Sequence, residues 1–93
     1  MNKELNKLIE KAVEAVDFIP NNVEDNYTEY REARREASAF IQDCVKEAYN
    51  LGRKDAFQQV FVEFDKYKKS RPMVYTVMDA LWDIRRMIEK DLA

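Results

Sequence analysis

Histidine is absent from this chain, glycine and cysteine occur once each, and proline occurs twice. Each shortage closes off a class of protein. Without histidine the chain lacks the commonest general base, the commonest zinc ligand and the usual pH switch. One glycine cannot build the glycine-rich cradle of a phosphate loop. A β-rich domain of this size needs many tight turns, and turns need glycine, proline and asparagine, so the composition predicts few, long helices. The lone Cys44 cannot form an intramolecular disulfide. An unpaired thiol and no secretory leader point to a reducing, cytoplasmic setting. No apolar run approaches the ~18 residues that cross a bilayer, so no membrane partner is expected. The net charge is only −2, from 16 basic and 18 acidic residues. That balance disfavours a nucleic-acid binder relying on bulk field, and equally a polyacidic mimic of DNA.

What remains is a chain of 93 residues, 46% hydrophobic and 37% charged. The mix is globular rather than disordered, and the length fits one domain over 1–93. Four amphipathic segments predict an all-α, compact four-helix bundle, with helices at about 3–18, 26–51, 55–70 and 72–92. The first carries Leu5, Leu8, Ile9, Ala12, Val13 and Val16 at helical spacing and ends before Pro20. The second is predicted to start at an Asn26 cap, with Glu29 in the box position, and to stop at Gly52. Its apolar stripe runs through Tyr30, Ala33, Ala37, Ile41, Cys44, Val45, Ala48 and Leu51. At about 100° per residue the stripe jumps by roughly 140° across Gly52, so a break there is expected rather than one continuous rod.

Asp55 is the expected cap of the third helix, with Gln58 in the box position. Ala56, Phe57, Val60, Phe61, Phe64 and Tyr67 line its apolar side. Pro72 suits the first turn of the fourth. There Val74, Val77, Met78, Leu81, Ile84, Ile88 and Leu92 form the stripe, widened by Trp82 and Tyr75. As the most apolar helix all round, it is expected to be the most central.

Catalytic groupings are sparse. Cys44 has no base to activate it and sits in an apolar stripe, which predicts a buried, inert thiol. Glu29 and Glu32 stand as ExxE with Glu36 one turn on, the kind of acidic pair with which all-α nucleotide pyrophosphohydrolases hold Mg²⁺. The second acidic pair that such a site needs is missing. Arg31, Arg34 and Arg35 beside Tyr27 and Tyr30, and the basic run from Lys66 to Arg71, are the local candidates for nucleic-acid contact. Neither forms a reading-helix motif.

The second helix is more informative. Beside its apolar stripe, one ridge about 60° wide holds Glu29, Glu32, Glu36, Asp43 and Glu47. Another of similar width holds Arg31, Arg35, Lys46 and Arg53. Several i,i+4 neighbours therefore carry the same sign, at a cost of a few tenths of a kcal/mol each, offset by i,i+3 pairs such as Glu32–Arg35 and Asp43–Lys46. Ridges of this kind suit a helix flanked by complementary charge, either within the bundle or on another molecule. Arg34 and Arg85 project into apolar stripes, where each either snorkels or pairs with a carboxylate across a seam. Tyr27, Glu29, Tyr30, Arg31, Glu32, Arg34, Arg35, Glu36, Asp43 and Glu47 are the candidate partner-binding residues. No catalytic, metal or cofactor residue is assigned.

The expected function is a non-enzymatic protein–protein interaction module: a small adaptor, regulator or inhibitor that self-associates, as a homodimer in the simplest case. Small single-domain products of phages and mobile elements that block a host protein are a class-level analogy. The alternatives are a helical nucleic-acid binder using its Arg/Lys clusters, and a Mg-dependent all-α nucleotide hydrolase.

Overall fold

The computed structural model describes residues 3–20, 27–69 and 75–92. Among these residues four helices follow in chain order: α1 (Lys3–Asp17), α2 (Tyr27–Asn50), α3 (Ala56–Lys68) and α4 (Tyr75–Leu92). The four-helix, all-α bundle expected from composition and periodicity is the observed fold. The Asn26 cap and the Pro72 helix start lie outside the described residues.

α1 buries Leu5, Ile9, Ala12, Val13, Ala15 and Val16, with Leu8 packed at the margin. It ends as its last turn tightens: the Ile19 N–H donates to the Val16 carbonyl at 3.0 Å. Pro20 follows with no N–H to continue the ladder. α2 buries Tyr30, Ala37, Ser38, Ile41, Cys44, Val45 and Ala48. α1 on α2 is the most extensive helix pairing among the described residues. Ala12, Ala37 and Ala48 have no exposed surface, and side chains this small allow two helix axes to come close.

The stop at Gly52 is a Schellman turn. The Gly52 N–H donates to the Tyr49 carbonyl at 2.9 Å, and the Arg53 N–H to the Ala48 carbonyl at 3.4 Å. Those are the bonds that close a helix when the residue after its end adopts a left-handed conformation, and Gly52 has φ +80°. Leu51 lies within that turn, one residue past the end of α2, and is exposed rather than part of the buried stripe.

The chain re-enters a helix at α3, but without the predicted side-chain cap. Asp55 takes φ −104°, ψ 40°, and its carboxylate makes no capping hydrogen bond. Its carbonyl instead accepts from the Gln59 N–H at 2.9 Å, while Gln58 points to solvent. Ala56, Val60, Phe61 and Phe64 are buried, and α3 packs on both α1 and α2. Phe57, Phe61 and Phe64 form a ladder of tilted rings, with centroids 4.9 and 6.3 Å apart.

α4 corrects one expectation. Ala80, Leu81, Ile84 and Ile88 form its buried face, yet α4 is the least central helix among the described residues. It leans on α2 and more lightly on α1, and its backbone barely approaches α3. Its all-round apolar character owes much to Met78, Trp82 and Met87, which lie outside the buried face and are exposed.

Cys44 is fully buried, as its stripe position predicts. Burial, reinforced by the negative charge of Asp43, pushes its thiol from 9.0 up to about 12.

Two measurements check these assignments. Gly52→Ala places a Cβ where nothing lies within 4 Å, so only backbone strain opposes it. The expected loss is about 1 kcal/mol in urea unfolding, with Gly52→Asn losing less. The Cys44 thiol keeps its proton in the folded chain at pH values where the unfolded chain loses it. Its stabilising contribution is complete below pH 9 and disappears as pH rises from 9 towards 12. At about pH 10.5 the wild type should therefore lose on the order of 2 kcal/mol more than Cys44→Ala loses, each measured relative to neutral pH.

Candidate functional site

α2 presents its outer surface as the two charged ridges that its sequence describes. Glu29, Glu32, Glu36 and Asp43 are exposed and Glu47 half-exposed, while Arg31, Arg35 and Lys46 are exposed on the other side. Exposed Ala39 lies between the ridges. Among the described residues none of the five carboxylates forms an ion pair. The expected Glu32–Arg35 and Asp43–Lys46 pairs are not formed. For exposed pairs, the entropy lost in holding two long side chains together nearly cancels the attraction.

The arginines have other company. The Arg31 guanidinium lies 5.9 Å from the Tyr27 ring centroid, and that of Arg34 lies 5.6 Å from Tyr30. Arg34 also reaches across the α2–α4 seam to Asp83, at 3.7 Å. Its position in an apolar stripe is thus resolved as pairing inside the bundle. Arg85 combines both behaviours. It pairs with Glu89 of its own helix at 3.4 Å and covers the Phe61 and Phe57 rings at 5.1 and 5.9 Å.

The structure therefore divides the ten candidate residues. Glu29, Glu32, Glu36, Asp43 and Glu47 stand together on an unpaired ridge. Arg31, Arg34 and Arg35 line a cleft of about 380 Å³ between α2 and α4, with Ser38, Gln42 and Met87. Tyr27 is 58% exposed at the start of α2, but Tyr30 is only 8% exposed and belongs to the core. Among the described residues no three His, Cys, Asp or Glu side chains converge as a metal-ligand set, and Glu29, Glu32 and Glu36 all face solvent. No described helix is long and apolar enough to cross a membrane.

Two features lay outside the sequence-predicted site. Glu63 is 4% exposed, at the margin of the apolar face of α3. Its Oε1 accepts from Gln59 Nε2 at 3.1 Å and from Lys66 Nζ at 3.2 Å, both on the same helix. The signal was present: Glu63 follows Ala56 by seven residues and Val60 by three, which places it on the buried face. The second feature is the exposed apolar edge of α4. Trp82 is 63% exposed and Met78 43%. They stand at the lip of a cleft of about 190 Å³ between α3 and α4, floored by Phe61 and Leu81. A larger groove of about 590 Å³ separates the end of α2 from the start of α3, with Tyr49, Phe57, Lys46 and Lys54 along it.

No protein-family model, curated protein or solved structure matches this chain.

The Glu63 pairings can be tested by stability. Gln59→Ala leaves a buried carboxylate with one partner fewer and should cost about 1–3 kcal/mol. Glu63→Leu removes the charge and the need for partners together, and should be neutral or stabilising. Urea unfolding of both variants checks the contrast.

Proposed function

We propose that this chain is a non-enzymatic protein-interaction module, a small adaptor, regulator or inhibitor of the cytoplasm. The acidic ridge of α2 is its working surface, and its partner presents a cationic face. One observation carries this: Glu29, Glu32, Glu36, Asp43 and Glu47 are aligned on one helix edge, and among the described residues no cation is paired with any of them. Like charges one turn apart destabilise a helix by a few tenths of a kcal/mol per pair. A cationic partner turns that repulsion into attraction and speeds encounter through the field of the ridge.

The arginine side gives less support to nucleic-acid binding. Arg31 and Arg34 already contact Tyr27, Tyr30 and Asp83, which leaves Arg35 as the one arginine of that cleft with no such contact among the described residues. A hydrolase gains no support from glutamates that all face solvent without converging. Self-association is a second part of the proposal and uses a different surface.

The test compares affinity capture by the wild type with capture by Glu32→Lys/Glu36→Lys in lysate of the native cell. A bound protein should be retained by the wild type, lost from the double variant and released by moderate salt, with circular dichroism unchanged. Capture that ignores the double reversal would sink the ridge assignment. Steeply salt-dependent retention of nucleic acid would overturn the proposal in favour of the arginine cleft.

A further inference from the structure

We infer that a second copy of this chain docks on the outer face of α4. The two α4 helices run antiparallel, with the Trp82 indoles packed together at the two-fold axis. This deepens the self-association proposed above and shares no residue with the ridges of α2.

Trp82 and Met78 are one helical turn apart, exposed by 63% and 43%, and uncovered by α3. Exposed tryptophan and methionine beside an arginine match the composition of interface centres rather than of open surface. Of the two neighbouring arginines, Arg85 lies on Phe61 and Phe57 and pairs with Glu89, and Arg86 makes no contact with the Trp82 ring among the described residues.

Charge identifies the occupant. Asp79 and Arg86 are both exposed, and among the described residues neither forms an ion pair. In projection they fall within about 20° of each other on one edge of the Trp82 face, roughly 10 Å apart along the axis. Trp82 and Asp83 lie midway between them. A two-fold axis perpendicular to α4 maps this edge onto itself and reverses its direction. Asp79 then meets the partner's Arg86, and Arg86 meets the partner's Asp79. A parallel arrangement sets this edge against the opposite one and loses both pairs. Both halves of the complementarity therefore come from a single chain. Helix α4 is about 27 Å long, so the contact is small and the expected dissociation constant is of micromolar order.

The chain contains one tryptophan, so indole emission reports directly on this face. Sedimentation and emission should be followed together from about 1 to about 500 µM. The expected result is a monomer–dimer equilibrium with a blue shift over the same range. Trp82→Ala should weaken dimerisation by about tenfold or more, as should Asp79→Arg or Arg86→Asp alone, whereas Asp79→Arg/Arg86→Asp together should restore it. The charge variants leave the indole in place, so they decide the matter even if Trp82→Ala fails to fold.

A monomer with constant emission throughout would overturn the inference. So would a dimer indifferent to Trp82→Ala, or a double charge swap without rescue. Glu32→Lys/Glu36→Lys should leave the dimer intact, so failure of the α2 proposal and failure of this one give different results.

Discussion

The close contact of α1 with α2 governs the rest of this molecule. Small side chains let two helices share a long seam at close range, and Ala12, Ala37 and Ala48 are buried with no exposed surface of their own. Leu5, Ile9, Val16, Ile41 and Cys44 are buried with them. α3 then closes over both helices, and α4 is added at the side. Once the seam has used the apolar stripe of α2, the remaining circumference must face water. That is why both charged ridges end up on one open surface.

The buried carboxylate of α3 is satisfied locally. Glu63 finds its two donors on its own helix, one turn before and one turn after. A carboxylate satisfied in this way asks nothing of α1 or α2. The arrangement differs from that of Arg34, whose partner Asp83 belongs to another helix. The first holds a side chain within one element, whereas the second joins one element to another. With so little contact between α3 and α4, the Arg34–Asp83 pair and the aromatic shelf under Arg85 are prominent among the polar ties that orient α4.

Much of this was legible in the sequence. The helix count, the break at Gly52 and the buried faces of α1 and α3 follow from periodicity and from the scarcity of turn-forming residues. The Gly52 stop was legible because one residue type answers one backbone need. The cap at Asp55 was misread because a capping residue in the right place still has to choose a rotamer, and a pattern carries no rotamer. The rank of α4 was misread for a different reason. A hydrophobic side chain beyond the buried stripe has the same letter whether the bundle covers it or not, so Trp82 and Met78 suggested depth where they mark an edge. Glu63 shows the converse: its spacing announced burial, but its charge suggested solvent. The candidate ridge was legible residue by residue, since charge and angle settle it. Tyr30 left that set because it stands on the apolar stripe, in line with Ala37 and Ile41, and that stripe is the buried one.

The lateral position of α4 has an energetic consequence. Stability is distributed unevenly in a protein, and the element with the fewest buried contacts opens first. On that basis the amides of α4 exchange with solvent through local openings well before those of the α1–α2 seam. The face that carries Trp82 thus belongs to the most weakly held part of the fold. Any molecule that closes on it adds its binding free energy to the weakest link in the bundle, and the apparent stability of the whole chain then rises with the concentration of that molecule.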